Sequence, residues 1–312
     1  MSSLNIVATG KSTLLRGFPV SLKLEKPADI ATVADVKAAL AAKFPQLYVE
    51  RQKLSLKGET KALNDDAILA TTGIRDGGEL VVKDLGPQVS WRTVFVTEYA
   101  GPLVIHPILY HLPKVFYRGS VQHSQLQKYV YAMVILHFAK RELESIYVHR
   151  FSHATMPLRN IFKNSLHYHI LSGLFLAYPI YGPKYAANSP YIRGTLRSNP
   201  QFLWICASIW LFAELSNLST HLTLRNLRPP GSTKRAIPHG YGFGLVSCPN
   251  YFFESVAWAA VAYMSGSWAA WLFWGVSTAQ MMNWAAKKQR AYKKDFGKEY
   301  PRQRKAMIPF LF

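Results

Sequence analysis

Asn250, Tyr251 and Glu254 stand where a Gly-rich polar loop, residues 236–249, runs into an apolar stretch. Each side chain has a use in a redox site. An amide holds a carboxamide or a ribose hydroxyl. A phenol donates a proton, or a hydrogen bond to a developing oxyanion. A carboxylate orients its neighbours. Residues 251–286 contain no Lys or Arg, and Glu254 is their only charge. Tyr251 and Glu254 are three apart and on a helix share a face. A second set is Glu214, Asn217, His221, Arg225 and Arg228, at steps of 3, 4, 4 and 3. That spacing puts all five on one helical face. They would either bond helices together within a bundle or wall a cofactor cavity, with the arginines at its mouth for phosphates. A third candidate is Glu98, in Thr97-Glu98-Tyr99-Ala100-Gly101-Pro102. A carboxyl buried without a cation holds its proton and can hydrogen-bond a carbonyl as an acid. Paired with Lys140 or Arg141, Glu98 would be structural instead.

Other chemistries find little support. His149 with His153, and His167 with His169, suggest a di-iron site, but the clustered HxxHH boxes of membrane desaturases are missing. These histidines are expected in interface loops, and no metal is expected. Gly10-Lys11-Ser12 lacks the upstream glycine and the following helix of a phosphate loop. Cys206 and Cys248 give neither a disulfide framework nor zinc spacing.

The elements that must position these residues fall into two parts. Residues 1–86 hold 12 Lys+Arg and 10 Asp+Glu, whereas 87–312 hold 25 Lys+Arg and seven acids, so nearly all of the net +20 lies in the second part. Apolar stretches separate the basic clusters, which argues against a nucleic-acid partner. Loose alternation over 4–24, a helix from Val33 to Phe44 capped by Thr32, and strands at Lys53–Leu56 and Glu79–Lys83 suggest a small α+β β-grasp. After Asp84-Leu85-Gly86-Pro87 come apolar stretches at 91–112, 129–139, 165–182, 201–224 and 251–286, the last broken by Ser265-Gly266-Ser267. About 20 apolar residues cross a bilayer as a helix. A multi-span α-helical membrane domain over 87–312 is expected, with six spans, or seven at most. Residues 287–305 carry nine Lys+Arg against two acids. That tail and the basic segment 225–235 should face the cytosol. Met307–Phe312 is too short to span and should tuck back against the domain. The N-terminus has no apolar signal region, so internal spans must direct targeting.

Residues 140–164 (KRELESIYVHRFSHATMPLRNIFKN), 224–232 (LRNLRPPGS), 245–254 (LVSCPNYFFE) and 300–312 (YPRQRKAMIPFLF) together resemble the very-long-chain trans-2-enoyl-CoA reductases, within the steroid 5α-reductase superfamily. The likeness covers nearly the whole chain, including a ubiquitin-like domain in front. It implies an NADPH-dependent oxidoreductase of the endoplasmic reticulum membrane that saturates the 2,3 double bond of a very-long-chain trans-2-enoyl-CoA. That is the last step of the fatty acid elongation cycle, which also feeds sphingolipid metabolism. It implies membrane lipid, the elongase, the 3-ketoacyl-CoA reductase and the 3-hydroxyacyl-CoA dehydratase as partners. By the same resemblance Tyr251 and Glu98 are catalytic, and Asn217, His221, Arg225, Arg228, Asn250, Glu254 and Tyr292 bind the cofactor. Lys140 and Arg141 are expected to bind substrate. His221 stands where the wider pattern has an acid, and Lys287-Lys288-Gln289 where it has histidines. A steroid or polyprenal double-bond reductase of the same fold, and a non-catalytic ubiquitin-like membrane adaptor, are the alternatives.

Overall fold

Thr32 and Asp35 start the first helix. Thr32 Oγ1 accepts from the Asp35 N–H at 3.3 Å, and Asp35 Oδ2 accepts from the Thr32 N–H at 2.8 Å. Two donors that a helix end leaves open are thereby satisfied. The computed structural model describes residues 2–151, 154–227, 229 and 236–312. In it this helix, α1 (Val33–Lys43), packs on strands β1 (Ser2–Thr9), β2 (Val20–Leu24), β3 (Gln52–Leu56) and β4 (Glu79–Asp84), in the order β2-β1-β4-β3. The β1–β4 pair is parallel and the other two are antiparallel. A parallel pair needs a crossover, and the segment carrying α1 provides it. Leu4 and Ile6 of β1, Leu80 and Val82 of β4, and Val36 and Leu40 of α1 share one core. This is the β-grasp expected of residues 1–86. Strands β5 (Gln88–Ser90) and β6 (Thr155–Pro157) pair antiparallel. The unit comprises Met1–Trp91 and His153–Asn160.

The second unit, Arg92–Ser152 with Ile161–Phe312, is helical. Its elements are α2 (Trp91–His111), α3 (Pro113–Tyr117), α4 (Gln125–Leu143), α5 (Arg159–Ser165), α6 (Leu176–Tyr181), α7 (Pro200–Asn226), α8 (Pro249–Ser265) and α9 (Trp268–Phe296). A Ser124–Gln127 capping box opens α4, and Asn199 with Pro200 opens α7. Gly266 ends α8 at φ +59, and a Cβ there would meet an Arg197 guanidinium nitrogen at 2.0 Å. Wider, π-type turns follow α4 at Glu144–Val148 and join α5 to α6 over Leu166–Phe175. Helix α8 packs between α7 and α9, and α4 lies against α7 and α8.

The sequence suggested six spans. Among the described residues one helix, Pro200–Asn226, is long and apolar enough to cross a membrane. Three of the other expected spans fall short for identifiable reasons. Helix α8 has 17 residues. Helix α4 carries Lys128 and ends in Lys140-Arg141-Glu142. The stretch 159–181 changes its winding part-way. The chain end turns back as expected: the Met307 and Ile308 N–H groups donate to the Phe312 carbonyl at 2.8 and 2.7 Å. Met307 is buried against Cys248, Met281 and Ala285.

Candidate functional site

Four helices bring polar side chains into the interior of the second unit. From α4 and the turn after it come His137, Lys140, Arg141 and Glu144; from α7, Glu214, Asn217 and His221; from α8, Asn250 and Glu254; from α2, Tyr99. Nearly all are buried. Lys140 Nζ lies 2.7 Å from Glu214 Oε2 and donates to Asn217 Oδ1 at 2.6 Å. His137 Nδ1 meets the other Glu214 oxygen at 2.6 Å. Arg141 pairs with Glu144 at 2.8 Å, donates to the Tyr99 hydroxyl at 2.9 Å and lies over that ring. Glu144 also meets His221 Nδ1 at 3.1 Å. The Asn217 amide donates to the Asn250 carbonyl at 2.9 Å and reaches a Glu254 oxygen at 3.4 Å. The other Glu254 oxygen stands 4.0 Å from both His137 and Arg141. Charges this deep persist only where each is paired, and here carboxylates and cations alternate.

Glu98 sits apart from this chain of pairs. Pro102 has no N–H to offer the Glu98 carbonyl one turn earlier, and His169 Nε2 bonds the preceding carbonyl, Thr97 O, at 2.9 Å. Gly101 makes that approach possible, since a Cβ there would lie 1.9 Å from the His169 ring. The Glu98 carboxyl is 1% exposed. Asn164 and Arg141 act on it electrostatically, while its Oε2 has no hydrogen-bond partner. The pairing of Glu98 with Lys140 or Arg141 considered from sequence is therefore replaced: Lys140 serves Glu214, and Arg141 serves Glu144 and Tyr99.

Tyr251 has different surroundings from Glu254. Its ring packs 6.1 Å from Trp284, and Lys288 Nζ lies 5.1 Å from its centroid, both on α9. Tyr292 stacks on Tyr300 at 5.5 Å between centroids. Arg225 is half-buried in the last turn of α7, and Arg228, like His153, lies outside the described residues. The structure thus gathers Lys140, Arg141, Asn217, His221, Asn250 and Glu254 into one network. His137, Glu144, Glu214 and Tyr99 belong to it too, and of these only Glu214 drew attention in the sequence. The usable signal was His137-x2-Lys140-Arg141-x2-Glu144, helical spacing that closes an apolar run.

Of the histidines expected in loops, His149 lies just past the turn after α4, outside any helix, as expected, and His153 is outside the described residues. His167 and His169 lie in the wide-turn segment, where His167 meets Ser277 at 3.3 Å. His149 and His221 meet edge-on at 4.9 Å, and with Glu144 they bring three possible ligand atoms within 4.8 Å of one another. Arg141 and Lys140 already neutralise Glu144 there.

The fold and its buried network define the class. Residues 154–312 match the family described as 3-oxo-5-alpha-steroid 4-dehydrogenase, and residues 22–84 match the TECR ubiquitin-like domain. The chain belongs to the 3-oxo-5-alpha-steroid 4-dehydrogenase family, in the branch that carries a ubiquitin-like domain in front. Its relatives narrow this further. A Schizosaccharomyces pombe protein named as an enoyl reductase is 48% identical over 308 residues, 99% of this chain and 100% of its own length. The very-long-chain enoyl-CoA reductase of Dictyostelium discoideum is 38% identical over 290 residues, 90% and 92% of the two chains. The human trans-2,3-enoyl-CoA reductase-like protein is 30% identical over 292 residues, 92% and 79% of the two chains.

Proposed function

We propose that this chain reduces the 2,3 double bond of a very-long-chain trans-2-enoyl-CoA with NADPH. By this reading it closes the elongation cycle in the endoplasmic reticulum membrane, beside the elongase, ketoacyl reductase and dehydratase. The observation that carries the reading is likeness along nine-tenths or more of the chain to relatives named as enoyl reductases. Embedding through several helices, with the basic tail cytosolic, belongs to the same reading. Trp204, Ile205, Ile209, Phe212 and Leu215 support it by facing outward from α7.

The residues present fit a reduced dinucleotide phosphate. Arg141 Nε and Glu98 Oε2 are buried with no hydrogen-bond partner, leaving polar atoms that a polar ligand could engage. The exposed Lys287 and Arg290, with Arg225, suit its phosphates. Glu254 and Asn250 suit its hydroxyl and carboxamide groups. When bound, the cofactor supplies a hydride to the β-carbon. The protein must supply the rest. An enoyl thioester accepts hydride only when its carbonyl is polarised, and a hydrogen-bond donor aimed at that oxygen stabilises the enolate. Tyr251 is assigned this donation and delivery of the α-proton, since a phenol keeps its proton at neutral pH. Glu98, through its unpartnered oxygen, assists in its acid form. Lys140 holds Asn217 and Glu214 in place, and Arg141 holds Glu144 and Tyr99. In this reading Lys140 and Arg141 also remain the residues proposed to meet the substrate.

The test is NADPH oxidation by the detergent-solubilised protein with a long trans-2-enoyl-CoA, beside a 3-oxo-Δ4 steroid and Tyr251→Phe. Loss of a general acid costs about 10²–10⁴-fold, and that loss is expected on the enoyl-CoA. Turnover of the steroid alone would replace the substrate. Absence of NADPH binding would favour the adaptor.

A further inference from the structure

The ion network explains α4, α7 and Glu254, but it leaves unexplained what holds Tyr251 ready. The neighbour in position is on α9. Lys288 Nζ stands 5.1 Å from the Tyr251 ring centroid, and the phenol is the group that acts most strongly on this ammonium. Burial comes next, followed by Cys248 and Tyr292. The residue as a whole keeps exposed surface. An ammonium has three N–H donors and no acceptor. In any hydrogen bond between the two the phenol oxygen is therefore the acceptor, and the phenol's own hydrogen stays free to be given elsewhere. A tyrosine bonded to a carboxylate or carbonyl would have its hydrogen engaged instead.

We infer that Lys288 is a positioning residue for Tyr251, directing the phenol hydrogen toward the substrate and restoring it after transfer. The inference rests on the enoyl-reductase reading and extends it. The proton balance closes. As hydride reaches the β-carbon, the α-carbon forms a C–H bond with the Tyr251 proton, and the O–H electron pair remains on the phenolate oxygen. An N–H proton of Lys288 passes to that oxygen and re-forms the phenol. The neutral amine then takes a proton from water, which its exposure permits. Each turnover consumes one hydride and one solvent proton.

The experiment compares wild type, Lys288→Met, Lys288→Gln, Lys288→Arg, Tyr251→Phe and the Lys288→Met/Tyr251→Phe double variant. The readouts are kcat and KM on the enoyl-CoA, NADPH affinity by fluorescence titration, and melting temperature. Lys288→Met is expected to lower kcat about 10–100-fold, the lower part of the range for proton-transfer groups. KM, NADPH affinity and melting should stay near wild type. Gln should behave as Met, Arg should recover most of kcat, and the double variant should be no slower than Tyr251→Phe alone, because residues acting as a unit are non-additive. Three results would overturn the inference: wild-type kcat in Lys288→Met, an effect confined to KM or NADPH affinity, or a further loss in the Tyr251→Phe background. Should Lys288→Met not fold, the Gln and Arg variants carry the same comparison. Full turnover by Tyr251→Phe, or none by wild type, would instead remove the underlying reading.

Discussion

Lys140→Met takes away the cation that Glu214 Oε2 meets at 2.7 Å and the donor that Asn217 Oδ1 meets at 2.6 Å. Glu214 is 5% exposed, so water has little room to replace the ammonium. His137 still holds the other carboxylate oxygen at 2.6 Å and limits the damage without cancelling it. Removing one partner of a buried pair costs about 3–5 kcal/mol. At about 2–4 °C per kcal/mol for a unit of this size, the melting temperature should fall by about 6–20 °C. The double variant Lys140→Met/Glu214→Leu should recover most of that, since apolar replacement of a whole buried pair is often neutral or stabilising. Both single variants and the double, melted in one detergent and followed by intrinsic fluorescence, close a double-mutant cycle. A Lys140→Met protein that melts with wild type would refute the reasoning. It would mean that Glu214 is solvated or neutral and that the network is not a set of mutually dependent charges. A double variant less stable than either single would refute the pairing itself.

Two further outcomes are expected. Gly101→Ala would put a methyl 1.9 Å from the His169 ring, forcing the ring off Thr97 O and shifting Glu98. Misplacement by about 1 Å can cost about 100-fold, so turnover should drop steeply, and Gly101→Ala/His169→Ala should regain part of it; unchanged kinetics in Gly101→Ala would rule out this packing. In the first unit, the Lys26 ammonium and then the Thr32 N–H hold the Asp35 carboxyl down to about 2 from its ordinary 3.8. Burial pushes the Asp84 carboxyl up, but Arg51, Ser12 and the Gly86 N–H more than offset this and hold it low. Unfolded, both groups take up protons more readily, so their stabilisation is complete above about pH 4 and fades as pH falls toward 2. Amide protection of α1 in the full chain, corrected for intrinsic exchange, should decline across that window and decline less in Asp35→Asn. Equal protection at both ends would contradict the assignment.

The first unit was readable because its signals are local. Thr32 and Asp35 are three apart, and Leu4 and Ile6 alternate. The α7 stripe was readable for the same reason, since Glu214, Asn217 and His221 keep helical spacing. What the stripe faces was not readable, because Lys140 and Arg141 sit 74–80 positions away from their α7 partners and nothing in either segment encodes that meeting. The grouping of Tyr251 with Glu254 rested on spacing alone. Three residues span about 300° of a helix, so the two side chains point about 60° apart. On a helix packed between two others that is enough for Glu254 to reach α7 while Tyr251 reaches α9. The six-span count is not confirmed among the described residues, where one helix is long and apolar enough to cross a membrane and the stretch after Ser165 changes its winding.

That change of winding has a consequence for how such chains vary. In Leu166–Phe175 the backbone follows the wider π-type winding through ten residues, and helices of that kind are mostly single-turn bulges within α-helices. A widened turn is slack held in the chain. It can absorb an added residue, or give one up by tightening to ordinary α pitch, while the helices on either side keep their neighbours. Length differences among relatives should therefore collect there and leave the spacing inside α7 and α8 untouched. Any alignment that forces a 3.6-residue period through 166–175 will assign Tyr168, His169 and Ser172 to the wrong faces.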